Sequence, residues 1–317
     1  MTIRVIRPGA LTTVQDRGRF GWQRDGVPVS GAMDDVAYRV ANWLVGNRSN
    51  EAALEATLTG PALKFEEATA VAVTGADMDA RINGDRLPPW HARRVDPGDT
   101  LTLDGARRGC RAYVAVAGGI VTDPVLGSRS TYVRAKLGGH QGRVLRRDDV
   151  LRTAPVPGDA ARAWRPRGVD VGWLHLRRQV ARIIAGPHLS MLSAASRREL
   201  YTCDYALSPD SDRMGLRFQG EPLRLQAPVE ILSGGVAMGT VQLPPGGVPI
   251  VLMADRQTTG GYPRLGEVAT VDLPVLAQLC PGDRLRFAEI PHAEAEALHL
   301  ERERELARLC TFLLTPS

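Results

Sequence analysis

Nine consecutive residues, Asp255-Arg256-Gln257-Thr258-Thr259-Gly260-Gly261-Tyr262-Pro263, gather a carboxylate, a guanidinium, an amide, two hydroxyls and a phenol. Groups of these types can hold a small polar molecule and meet charge that develops on its oxygen. Gly260 and Gly261 let the backbone turn tightly or lie against a ligand. The apolar run Val248-Pro249-Ile250-Val251-Leu252-Met253-Ala254 precedes them and reads as a buried strand that presents the segment at its end. A plain surface turn rarely carries so many hydrogen-bonding groups. An ordinary bulged hairpin, with Asp255 and Arg256 paired beside it, uses the same residues.

The elements that must position this segment are mostly strands. The chain has 317 residues, 44% of them hydrophobic, which supports a sizeable core. Aromatic content is 5%, so aliphatic side chains fill that core, and 33 glycines with 22 prolines imply many turns. Residues 3–15 alternate around a Pro-Gly turn and read as an edge hairpin. A long glycine-rich loop follows at 16–32, and such loops inside compact domains are often functional. The apolar stripe Met33, Val36, Ala37, Val40, Ala41 and Leu44 predicts a helix at about 33–45, with Asp34 and Asp35 in its first turn. Ala70–Val73 and Ala112–Val116 read as buried strands, and Asn83-Gly84 as a two-residue hairpin turn. Asp272 is placed to cap a short helix at 273–279.

Pro97-Gly98-Asp99 and Pro281-Gly282-Asp283 each feed a strand, and Asp148-Asp149 reads as a degenerate third copy. Pro-Gly-Asp is also a common turn. The sharper reading is two related barrel-like halves. The expected division is a β-rich half at 1–155, a linker at 156–170, a β-barrel half at 171–290 and a helical tail at 291–317. On that tail Leu306, Leu309, Cys310 and Leu313 share one face.

Several function classes are excluded. The net charge of +5 is spread over short runs interleaved with acids, so nucleic acid is not expected. The four cysteines form no CxxC, and the six histidines have no ligand spacing, so no metal site is expected. There is no Walker loop, GxGxxG, HExxH or GxSxG. Lys64 and Lys136 do not sit in the hairpin that a biotin acceptor needs. No run approaches membrane-spanning length, and the expectation is a soluble protein of the reducing cytoplasm.

A set of ordered segments carries a resemblance. In the first half they are Gln15-Asp16-Arg17-Gly18-Arg19, Gly26–Asp34, Ala41–Asn47, Leu54–Pro61, Thr74–Asp77, Val116–Ile120 and Leu126–Thr131. In the second half they are Ser211-Asp212-Arg213-Met214-Gly215 and the opening segment. From about residue 3 to 290 the chain resembles the carboxyltransferase-type family called allophanate hydrolase subunit 2, KipA-like, or the C subunit of 5-oxoprolinase. The resemblance implies a mainly β fold of cyclophilin-like barrel units in two halves, with a few short helices. It implies a KipI-like partner, subunit 1 or B, and a LamB/YcsF-like third component, the A subunit. The implied activity is ATP-dependent opening of 5-oxo-L-proline to L-glutamate by the complex. One alternative is carboxyl transfer from carboxybiotin to urea or a similar small amide. Another is a non-catalytic KipA-like antagonist of a KipI-like kinase inhibitor. ATP is then used by the complex without a Walker-type site here, and biotin enters only on another chain. The pattern departs at Gly234 and Val248, where the family usually has Glu and Gln, and at Leu216, where tyrosine is common.

A small amide-like substrate assigns roles to these positions. Arg213, Arg256 and the Gly260-Gly261 amides can meet negative charge on oxygen. Gln257 and Gln242 can hold an amide, with Thr258, Thr259, Tyr262 and Ser30 lining the site. Asp255 can orient Arg256 or act as a base, and Asp16 or Asp34 can serve from the N-terminal half. A structural ion pair for Asp255 and Arg256, and a helix-start role for Asp34, are the plainer alternatives. The opening segment then forms one wall of a site, with loop 16–34 or the partner supplying the other.

Overall fold

The structure, a computed structural model, describes residues 1–48, 50–155, 166–172 and 179–315. The chain folds as two units. The first holds Met1–Arg19, Ser30–His175 and Arg308–Ser317, and the second holds Phe20–Val29 and Leu176–Ala307. The sequential division expected from the sequence is thus interleaved, because residues 20–29 group with the second unit and the chain end with the first. Most of the expected linker at 156–170 lies outside the described residues. Its last residues include a short strand, Arg167–Gly168.

The strands of the first unit are β1 (Thr2–Arg7), β2 (Leu11–Gln15), β3 (Ala53–Thr57), β4 (Ala62–Phe65), β5 (Thr69–Asp77), β6 (Arg81–Ile82) and β7 (Asp85–Arg86). They continue with β8 (His91–Val95), β9 (Thr100–Thr102), β10 (Arg108–Val116), β11 (Ile120–Val121), β12 (Val150–Thr153) and β13 (Arg167–Gly168). Their sheet orders are β11-β12-β1-β4-β9-β6-β7 and β13-β8-β5-β10-β3-β2. Ile3, Val5, Leu63, Phe65 and Leu101 of one sheet share a core with Val14, Leu54, Val71, Val73 and Val114 of the other. Helix α1 (Asp35–Leu44) packs on β5 and β10. The Thr74 hydroxyl donates to the Ala37 carbonyl on this helix at 2.7 Å. Covered on both faces, β5 and β10 read as unbroken apolar runs instead of alternating ones.

The hairpin expected at 3–15 does not form. β1 pairs with β12 and β4, whereas β2 pairs with β3 in the other sheet. The Pro8-Gly9 corner carries the chain between sheets, and Thr59-Gly60-Pro61 does the same between β3 and β4. The corners are stacked so closely that a Cβ on Gly9 would lie 2.4 Å from the Thr59 carbonyl oxygen. Alternation along a strand distinguishes its two faces, but it carries no information about which sheet the strand joins. The Asn83-Gly84 hairpin does form between β6 and β7, with φ of 51° and 92°, the positive pair that such a turn requires.

The strands of the second unit are β14 (Val180–Ala185), β15 (Tyr205–Leu207), β16 (Gly215–Gln219), β17 (Gly234–Gly235), β18 (Thr240–Gln242), β19 (Ile250–Leu252), β20 (Thr259–Gly260), β21 (Arg264–Val268) and β22 (Arg284–Glu289). Seven of them close a barrel in the order β14-β21-β18-β19-β16-β15-β22, and β17 with β20 forms a separate ribbon. The ring is completed by the parallel pair β14–β22. Tyr205, Phe218 and Phe287 pack together, with ring centroids 5.6–6.4 Å apart. Helices are α2 (Ala194–Thr202), α3 (Leu273–Ala277) and α4 (His292–Leu314). Along α4 Leu306 and Leu313 are buried, and Leu309 and Cys310 are half-buried. Asp272 makes no side-chain cap to α3. Its carboxylate takes the Arg182 guanidinium at 2.6 and 2.8 Å instead, because a paired charge satisfies the buried acid better than one backbone N–H.

The three turns noted in the sequence are built alike. The Asp99, Asp149 and Asp283 carboxylates each accept the backbone N–H three residues earlier, at 2.7–2.8 Å. Before the aspartate, Gly98 and Gly282 have φ of 95° and 90°, and Asp148 takes that place at 68°. The turns lead into β9, β22 and β12.

Candidate functional site

The side chains of greatest chemical interest lie on one face of the β18–β21 ladder. Thr240 stands opposite Glu267, Val241 opposite Gly266, and Gln242 opposite Arg264. Leu265 is therefore an extra residue on β21. This bulge brings Arg264 and Glu267, three residues apart, onto the same face as Thr240 and Gln242. Sequence reasoning misses Glu267 because strict alternation from Arg264 assigns it to the other face.

Gln242 is 1% exposed, and its Nε2 has no hydrogen-bond partner. A Cβ on Gly260 would lie 2.5 Å from that nitrogen, so the glycine leaves room for the amide. Arg256 is half-buried, its Nε donating to the Val236 carbonyl and Nη1 to the Met253 carbonyl, each at 3.3 Å. Burial pushes its guanidinium below the ordinary arginine range, and the charge of Glu267 opposes that shift. Burial also pushes the Glu267 carboxyl up, opposed by the Thr240 hydroxyl and by the charges of Arg264 and Arg256. Arg264 Nη1 donates to the Gly235 carbonyl at 3.1 Å. Its backbone N–H donates to His188 Nδ1 at 2.9 Å, which places the imidazole proton on Nε2.

The ribbon explains the Thr-Thr-Gly-Gly sequence. Gly260 pairs with Gly234 and Thr259 with Gly235. The Val236 N–H donates to the Thr258 carbonyl at 3.1 Å. A Cβ on Gly261 would lie 3.1 Å from Ser233 Oγ. Gln257, Thr259 and Tyr262 are exposed, and Leu232 on the facing loop is 94% exposed. Gly234, the place where the family pattern has glutamate, therefore faces Gly260 across the ribbon, with open space at its Cβ.

Asp255 does not orient Arg256. Its carboxylate receives Arg213 Nε at 2.9 Å and Nη2 at 3.1 Å in a bidentate pair. Both side chains are buried, and the Asp255 N–H also donates to the Arg213 carbonyl at 2.8 Å. The pair fastens the end of β19 to the loop before β16. Having both oxygens on a guanidinium removes Asp255 as a free base.

The remaining candidates belong to the first unit. Asp16 accepts four donors: Gly18 N–H at 2.8 Å, Ser128 Oγ at 2.6 Å, Ser130 Oγ at 2.5 Å and Arg129 N–H at 2.6 Å. With three of these donors on Oδ1 and one on Oδ2, the carboxylate ties two loops together, a structural role. Asp34 is the N-cap of α1 and accepts the Ala37 N–H at 2.9 Å, the helix-start role. Ser30 is buried at φ 56°, and its hydroxyl has no partner. Among the described residues no group of three or more His, Cys, Asp or Glu could hold a metal ion. No described helix is long and apolar enough to cross a membrane.

Comparison with known proteins agrees with this architecture. The chain is 38% identical over 308 residues to the C subunit of 5-oxoprolinase from Escherichia coli K12, covering 97% of each. It is 37% identical to the protein of that name in Haemophilus influenzae, covering 95% of each. Similarity to the urea amidolyase of Lachancea kluyveri, 32% identical, covers 93% of this chain but 17% of that protein. The crystal structure of the Kluyveromyces lactis urea carboxylase superposes with a TM-score of 0.87 at 28% identity, covering all of this chain and 30% of that one. Residues 25–289 match the carboxyltransferase domain, subdomain A and B, and the chain belongs to that family.

Proposed function

We propose that this chain is the C subunit of an ATP-dependent 5-oxoprolinase complex that opens 5-oxo-L-proline to L-glutamate. It acts there with a KipI-like partner, subunit 1 or B, and a LamB/YcsF-like third component, in the cytoplasm. The observation that carries this reading is the end-to-end match, 97% of both chains, to a protein named for that role. The site suits the chemistry. Gln242 offers a buried amide to a small planar amide, and the half-buried Arg256 guanidinium can meet charge on a carbonyl oxygen. The chain supplies no phosphate loop, so ATP is handled elsewhere in the complex. The test is to co-purify the three proteins and measure ATP hydrolysis that depends on 5-oxoproline. Full turnover without this chain, or none with it, sinks the reading.

Similarity to urea amidolyase and urea carboxylase favours one second reading, carboxyl transfer to a urea-like acceptor. Biotin would then arrive on another chain, because neither Lys64 nor Lys136 is presented as a biotin acceptor. Carboxylation of urea by this chain with a biotin-carrying partner distinguishes the two.

A further inference from the structure

Given the small-amide reading above, we propose that Glu267 is a specificity-determining residue. Its carboxylate accepts the N–H of an unsubstituted lactam or urea-type amide, while Gln242 Nε2 holds the carbonyl oxygen. Thr240 Oγ1 lies 2.9 Å from both Glu267 oxygens, yet a hydroxyl has a single hydrogen to give. The same Oγ1 accepts the Ala237 N–H at 2.9 Å, which fixes where that hydrogen points. One donated bond leaves most of the carboxylate's acceptor capacity open. On the same face, two residues along β18, Gln242 Nε2 carries two hydrogens and has no partner although the side chain is 1% exposed.

Buried polar groups rarely stay unpaired in folded proteins, so the unmet Gln242 donor, beside a half-buried carboxylate with acceptor sites open, points to a ligand. Diagonal neighbours on a ladder stand about 7–8 Å apart, enough for a small planar group between the side-chain ends. A lactam or urea presents N–H and C=O side by side on one edge, which matches this donor–acceptor pair. Glu267 also discriminates, because a methyl on the amide nitrogen leaves a half-buried carboxylate without its bond. Arg256 and Arg264 are the charged groups facing it, and they oppose the upward push that burial gives its carboxyl.

The experiment compares 5-oxo-L-proline with its N-methyl analogue in the complex of all three proteins, and 2-pyrrolidinone with N-methyl-2-pyrrolidinone on the full chain by saturation-transfer NMR. Wild type is expected to prefer the N–H member of each pair by about tenfold or more, the value of one lost bond to a charged acceptor. In E267A the preference falls to about threefold or less, through KM more than kcat. E267Q keeps a carbonyl acceptor but loses the charge, so its preference falls between those of wild type and E267A. Wild-type kcat/KM declines toward acid as Glu267 takes up a proton, and E267Q lacks that decline. An unchanged preference in E267A, with E267Q folded and active, overturns the assignment.

The two readings separate cleanly. If the complex does not open 5-oxoproline but the pyrrolidinone preference still depends on Glu267, the 5-oxoprolinase reading falls and the amide subsite stands. If the complex turns over 5-oxoproline with a preference indifferent to Glu267, the subsite falls and the reading stands.

Discussion

The loop around Asp16 and the β18–β21 face both set a carboxylate among hydroxyls and arginines, and they differ in how fully that carboxylate is used. Asp16 receives two serine hydroxyls and two backbone N–H groups. Glu267 receives a single threonine hydroxyl, with an unpartnered glutamine amide beside it. Residue type alone makes Asp16 the better catalytic candidate, since it lies in a glycine-rich loop. Hydrogen-bond accounting reverses that ranking. A carboxylate with four donors holds the backbone, and one with a single donor has acceptor sites open. Arg213 and Arg256 divide in the same way, one locked bidentate on Asp255 and the other giving two long bonds to carbonyls.

Asp16→Ala is expected to have the largest effect. Four donors lose their acceptor, and each orphaned donor costs about 1–3 kcal/mol, so stability is expected to drop by about 4 kcal/mol or more. Urea denaturation reads this directly, and a loss under about 1 kcal/mol would place Asp16 outside the frame. Arg213→Ala comes next. It leaves Asp255 buried and unpaired, at a cost of about 3–5 kcal/mol. Turnover per folded molecule is expected to survive. Arg256→Ala should behave oppositely, lowering turnover by about 100-fold or more while changing stability by about 1 kcal/mol. If Arg213→Ala abolishes turnover in a protein that stays folded, the division between the two arginines is wrong.

Local features are the legible ones. The apolar runs of β5 and β10, the stripe of α1 and the Asn83-Gly84 turn each depend on neighbours a few residues apart. The three aspartate turns are legible for the same reason. Features fixed by distant partners are not. Residues 3–15 alternate as a hairpin does, but β12 and β4 claim β1 while β3 claims β2. Asp255 has Arg256 beside it in sequence yet chooses Arg213, 42 residues away, because the two loops meet where β16 pairs with β19. Glu267 is hidden by the bulge at Leu265, which breaks the period-two pattern at the one position where the side-chain direction matters.

The two glycines of the ribbon give the finest test of the unfilled face. Gly260→Ala sends a methyl into the Gln242 amide, where an ideal Cβ would lie 2.5 Å from Nε2. The obstructing atom is the end of a flexible side chain, so the stability cost is expected to be about 1 kcal/mol. Displacing the amide raises KM by about fivefold to tenfold, with kcat nearly unchanged, which steady-state kinetics will read. Across the ribbon Gly234→Glu restores the glutamate of the family pattern at a position with nothing within 4 Å of its Cβ. Its stability is expected to move by about 0.5 kcal/mol or less. Equal KM changes for the two substitutions would mean that the ribbon backbone, not the Gln242 amide, governs binding. A change confined to Gly260→Ala locates the effect on the amide that Gly260 leaves room for.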